Sequence, residues 1–155
     1  MLSVRMMGRK RTREALKDAK KRGAFAIEDF TEIIAEKVMA QAIHLMADTP
    51  KTGKIWMTER GPHQASAPGE APAEFTGALI RSMQVTQTKI NQYAFSASVG
   101  SNLHYAAELE FFGPNYDGKP RPFLQPAVDI VEREVGAALA DSWKGAERKV
   151  KVVMK

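Results

Sequence analysis

The sequence contains no cysteine. Disulfides, thiolate metal sites and cysteine nucleophiles are thereby excluded, and the chain fits a reducing compartment. Aromatic residues make up only 8% and do not interleave with the arginines, so no stacking platform for nucleic acid is indicated. No apolar run approaches the length that crosses a bilayer. The first residues, "MLSVRMMGRKRTREALKDAKKRG", lack the apolar stretch of a signal peptide. The expectation is a protein made and kept in the cytoplasm, or in something assembled there.

Motifs of catalysis are equally scarce. GxSxG, GxGxxG, HExxH and a phosphate loop ending in Gly-Lys-Ser/Thr do not occur. Of the three histidines, His44, His63 and His104, His44 has no second histidine four residues away and no glutamate beside it, while His104 and Glu108 form at most half a metal site. Glu108 and Glu110 stand two apart and point differently on a helix, and Ser82, Ser96 and Ser98 have no implied base. The sequence reads as non-enzymatic, with no cofactor implied.

What is present is an ordinary single-domain composition. The chain has 155 residues, 44% hydrophobic and 26% charged, enough for a core. The net charge of +5 is unevenly spread. Residues 1–22 hold nine Lys/Arg against Glu14 and Asp18, and residues 144–155 hold five against Glu147. The remainder carries nine basic and fifteen acidic groups, a net of −6. The organisation expected is a basic N-terminal extension (1–22), one domain over 23–146 and a basic tail (147–155). Arg9, Lys10, Arg11, Arg13, Lys20, Lys21 and Arg22 are the candidates for contact with DNA or an acidic partner.

Ile27, Phe30, Ile34, Val38, Gln41 or Ala42, and Leu45 recur at steps of three and four, predicting a helix that stops at Pro50. Before Gly23 the chain has helix formers but few apolar residues, as in a helical extension. "TGKIWMT" at 52–58 predicts a short strand with Ile55 and Met57 on one side and Trp56 on the other. Residues 59–75 show no period and are read as a mobile arm. Thr76 is expected to cap a short helix, "GALIRSM". "MQVTQTK" and "YAFSASVG" alternate polar with apolar and predict an antiparallel hairpin around "INQ". Leu124, Val128, Val131, Val135, Leu139 and Trp143 predict a last helix from about Pro122 to Ala146, since proline is tolerated in a first turn. The class expected is α+β, a small antiparallel sheet with two long helices packed on it.

Three pieces then stand out together: "SAPGEAPAEFTGALIRSM", "VGSNLHYAAELEFFG" and "RPFLQPA". In this order and spacing they resemble the tail-completion, or neck, proteins of long-tailed bacteriophages, across about residues 50–130. Two departures stand out: Ile80 precedes Arg81 where the family commonly has two basic residues, and Phe112 is an extra residue that shifts the following turn.

The resemblance implies a non-enzymatic structural protein of the virion that completes the tail and joins it to the capsid. Its partners would be copies of itself in a ring, expected as a hexamer, with connector and tail-tube or tail-terminator proteins. DNA would pass through the lumen without sequence-specific binding. Alternatives are a tail-terminator or minor tail protein, or a small nucleic-acid-binding protein using the basic N-terminus.

Assembly residues implied are Pro68, Gly69, Pro72, Thr76, Gly77, Arg81, Tyr105, Glu110, Gly113, Arg121 and Phe123. Arg81 is expected to bond across an interface, and Glu110 to pair with Arg81 or Arg121. Phe111 is expected in the core, Gly113 in a turn needing positive φ, and Phe123 against the sheet, with Pro122 starting the helix.

Overall fold

A computed structural model describes residues 9–91, 94–113 and 118–153. The order of elements is α1 (Arg9–Ala47), β1 (Ile55–Thr58), β2 (Gly61–Gln64), α2 (Ala78–Ser82), β3 (Met83–Asn91), β4 (Ala94–Ser101), α3 (His104–Ala107), a π-helical turn (Glu108–Phe112) and α4 (Leu124–Val153). β1 and β2 form one antiparallel pair, β3 and β4 another. The chain is α+β, with α1 packed on β4, β3 and α4.

α1 runs unbroken through Gly23, so the basic extension is helical from Arg9 onward. Its buried line is Ala35, Val38, Ala42 and Met46, with Ile34 and Leu45 half-buried. The apolar stripe continues further toward the N-terminus than its cover does: Ile27 and Phe30, expected inside, are 48% and 45% exposed. Lys51 folds back to donate to the Leu45 carbonyl at 2.7 Å and the Thr49 hydroxyl at 2.7 Å, satisfying a carbonyl that α1 leaves open at its end. Burial lowers the Lys51 pKa, and the nearby Glu70 charge opposes that shift.

The β3–β4 register pairs Val85 with Val99, Gln87 with Ala97 and Thr86 with Ser98. Val85 with Val99 and Thr86 with Ser98 keep apolar and polar positions on opposite faces, while Gln87, exposed, stands opposite Ala97. Met83 and Val99 pack into the core, while β3 from Thr86 to Asn91 is exposed. Tyr93 and Gln92 lie outside the described residues.

α4 begins at Leu124 rather than Pro122 and continues to Val153, past the expected end near Ala146. The buried positions are Phe123, just before the helix, with Ala127 and Val131 on it: Val131 belongs to the expected stripe, whereas Phe123 and Ala127 stand one position before Leu124 and Val128. Val128 is 39% exposed in consequence. The side chains of Leu139 and Trp143 lie outside the described residues.

The largest difference concerns residues 59–75. Gly61–Gln64 is a strand, joined to β1 across the turn at Glu59 and Arg60. The ladder continues through Gly53 N–H to the Ala65 carbonyl and Ala65 N–H to the Lys54 carbonyl, both 3.0 Å. Ser66, Ala71 and Pro72 are buried against the body. Periodicity could not reveal this, because β2 reads Gly-Pro-His-Gln and residues 65–72 are fixed by distant backbone partners.

Candidate functional site

The three sequence pieces meet at the start of α4. "RPFLQP" offers no Ser, Thr, Asp or Asn to cap that helix, so its first amides need an acceptor from elsewhere. Glu110 supplies it. One carboxylate oxygen accepts from Phe123 N–H at 2.8 Å and Leu124 N–H at 3.0 Å, and the other accepts from Gln125 N–H at 2.9 Å. The next residue, Pro126, has no N–H to satisfy. A buried carboxylate at the positive end of a helix dipole is a favourable pairing.

This replaces the ion pair expected between Glu110 and Arg81 or Arg121. Both arginines bond to carbonyls instead. Arg81 Nη2 donates to the Thr76 carbonyl at 2.8 Å. Arg121, 4% exposed, donates through Nε to the Ser66 carbonyl at 3.3 Å and through Nη1 to the Lys119 carbonyl at 3.1 Å. Its own N–H reaches the Leu109 carbonyl at 2.7 Å.

Glu110 is turned inward by the backbone before it. Ala106, Glu110 and Gly113 are buried at steps of four and three, so Phe111 and Phe112 point outward at 68% and 70% exposure. Phe111 is thus corrected from core to surface, its ring edge-on to Phe112 at 6.3 Å. The turn there is wide: Gly113 N–H bonds the Glu108 carbonyl, five residues back, at 2.6 Å. Gly113 then takes φ 77° and ψ 167°, and a side chain there would overlap the Lys119 backbone.

The segment 65–72 closes the arrangement as a strap. Gly69 N–H bonds the Pro120 carbonyl at 3.0 Å. Glu70 turns back to accept from Thr52 Oγ1 at 2.5 Å, Thr52 N–H at 3.0 Å and Ala67 N–H at 2.8 Å. These bonds, that of the Thr52 hydroxyl foremost, hold the Glu70 carboxyl at about 2, below its ordinary 4.5. The charged form therefore favours folding above about pH 4.5, and that gain is lost as pH falls toward 2. Glu70→Gln is expected to flatten this part of the pH profile. Thermal midpoints of both proteins across that range test it, and equal acid slopes would refute it.

At α2 the cap is displaced by one residue from the expectation. Gly77, at φ 71°, occupies the N-cap, and Thr76 Oγ1 accepts from Ala78 N–H at 3.3 Å. The Ser82 and Ser101 hydroxyls bond at 2.6 Å, joining the end of α2 to the end of β4.

Of the assembly residues expected, Pro72, Gly77, Glu110, Gly113, Arg121 and Phe123 are buried, and their side chains or backbones serve the chain's own packing. Pro68, Gly69, Thr76 and Arg81 are exposed and Tyr105 is half-buried. Lys20, Lys21 and Arg22 are exposed on α1. The side chains of Arg9, Lys10, Arg11 and Arg13 lie outside the described residues. Among the described residues no three His, Asp or Glu side chains gather as metal ligands, and no helix is long and apolar enough to cross a membrane.

What periodicity missed is the uncovered apolar surface. Ile27, Phe30 and Ile33 on α1, and Ile55, Trp56 and Met57 on β1, are all between 45% and 80% exposed. The fold and these surfaces define an α+β chain whose tight clasp is internal and whose open faces are apolar. No family model, curated protein or solved structure matches it.

Proposed function

We propose that the chain is a structural protein of the phage head–tail junction, acting by assembly into a ring. The observation that carries the reading is the pair of separate apolar surfaces, on α1 and on the β1–β2 hairpin, left open by a small protein. Two different open surfaces suit a contact in which one face docks on a different face of the next copy. The order of the three sequence pieces, which converge on one clasp at the start of α4, supports the same reading. So does the acidic body, since a lumen that passes DNA must not hold it.

Electron microscopy and light scattering on the full chain test the proposal. Closed rings, sixfold by expectation, are the supporting result. A second reading, non-specific DNA contact, draws on the exposed Lys20, Lys21 and Arg22. A monomer that shifts DNA tightly at physiological salt, and loses that shift on reversal of these three charges, would favour it over the ring.

A further inference from the structure

α1 and α4 pack antiparallel. Ala35 and Val38 of α1 share one apolar groove with Leu124 and Val128, and Phe30 and Ile33 share the next with Val135 and Ala138. The pairing descends α1 as it climbs α4. Neither helix ends at this last contact: α1 reaches back to Arg9 and α4 runs on to Val153. From Phe30 and Ala138 both therefore leave the body at the same end. At about 1.5 Å per residue they project roughly 30 Å and 20 Å beyond it. Continued in step, the pairing sets Lys20 level with Arg148 and Lys17 level with Lys151.

These projections are the two basic ends of the sequence. Residues 9–22 hold eight Lys/Arg against Glu14 and Asp18, and residues 144–153 hold four against Glu147, net charges of +6 and +3. Antiparallel packing thus gathers at one pole the charge that the sequence puts at opposite ends. The seam of α1 changes character there. Val38, Ile34, Phe30 and Ile27 recur at steps of three and four, and the same steps lead through Gly23 to Lys20, Lys17, Arg13 and Arg9.

Lys17, Lys20, Lys21 and Arg22 are exposed, and among the described residues none of the four is in an ion pair. Like charges gathered at one pole repel, and a polyanion relieves that repulsion. Among the described side chains of residues 14–22 only Leu16 is large and apolar. The surface offers charge without the apolar centre on which a protein partner packs. It suits duplex DNA, which carries one phosphate charge per about 1.7 Å of its axis.

We infer that the two basic ends form one site that grips the phosphate backbone of duplex DNA without reading its sequence. The inference rests on the second reading above, extends it from α1 to α4, and holds for a monomer or a ring.

The full chain has no cysteine, so spin labels at Lys20→Cys and Arg148→Cys report the separation of the two ends directly. Helix axes about 8–10 Å apart at the last contact, with about 15 Å of helix beyond it, give an expected distance below about 30 Å. A longer one overturns the shared pole. Fluorescence anisotropy with short duplexes of two unrelated sequences measures binding. Equal affinities are expected, with a log–log salt slope of about −4 or steeper. Lys20→Glu with Lys21→Glu, and separately Arg148→Glu with Lys149→Glu, should each weaken binding about tenfold or more at low salt and flatten the slope by about 2. Lys37→Glu with Lys89→Glu, exposed on the body and equal in charge change, should alter affinity less than about threefold. Circular dichroism checks the helix content of each variant.

An Arg148/Lys149 variant that binds like the parent, beside a weakened Lys20/Lys21 variant, would overturn the shared site and leave contact by α1 alone. Equal losses from all three variants would overturn it in favour of net charge. Tighter binding to polyglutamate than to DNA at matched charge would overturn the choice of partner. No binding at low salt would overturn the inference and the DNA reading together, and leave the ring reading standing.

Discussion

Glu110→Ala is expected to destabilise the fold by about 3–5 kcal/mol, a large part of the 5–15 kcal/mol typical of a domain. The alanine leaves three amides at the start of α4 without an acceptor. Phe123 N–H is buried with its residue, while those of Leu124 and Gln125 are partly buried. A donor stranded without water costs about 1–3 kcal/mol, and the less buried pair recover some of theirs from solvent. The favourable meeting of carboxylate and helix dipole is lost as well. Glu110→Gln keeps the shape and one oxygen acceptor but not the charge, and should cost about 1–2 kcal/mol. Urea unfolding followed by circular dichroism measures both. A Glu110→Ala cost below about 1 kcal/mol, as for an exposed ion-pair carboxylate, would refute the capping role.

Gly113→Ala is expected to cost about 4 kcal/mol or more. Two effects add. The backbone at φ 77° and ψ 167° belongs to a region that essentially only glycine occupies, worth about 1–3 kcal/mol. The new methyl would also overlap the Lys119 peptide, which is backbone and cannot swing aside. Gly118 separates the two effects, having φ 59° with open space where a side chain would go. Gly118→Ala should therefore cost only the left-handed backbone, about 1–2 kcal/mol. Similar midpoints for the two variants in urea would show that the Gly113–Lys119 approach is looser than described.

The contrast between these residues and others shows what a sequence reveals. The β3–β4 hairpin was legible because Val85 and Val99, or Thr86 and Ser98, follow the two-residue alternation that pairing preserves. The long helices were legible for the same kind of reason, although each stripe misled in detail. Phe30 matches the period of α1 yet lies beyond what covers that helix, and the burial of α4 follows Phe123, Ala127 and Val131. Period fixes which residues share a face; cover depends on where the neighbouring elements end.

The clasp was legible only as residue types. Glu110, Arg121 and Gly113 were singled out, but their partners are backbone groups, and backbone groups leave no trace in side-chain pattern. One signal was available: a helix starting "RPFLQP" without a capping side chain implies a remote acceptor, and Glu110 lies four residues after Ala106 on the inward face. The Glu70 strap had no such signal. "APGEAP" has the composition of a linker, and its order comes from Thr52 on one side and Pro120 on the other.

The strap also fixes an order of events. Its bonds from Gly69 to Pro120 and from Arg121 to Ser66 join positions about fifty apart. On the ribosome, at about 5–20 residues per second, residues 65–72 emerge seconds before the segment that fastens them. α1, the β1–β2 hairpin and the β3–β4 hairpin are made of local contacts and can form during that wait. The strap cannot, and neither can the capped start of α4. The clasp therefore closes only after those elements can have formed, and protection of the Gly69 amide from hydrogen exchange reports its closing.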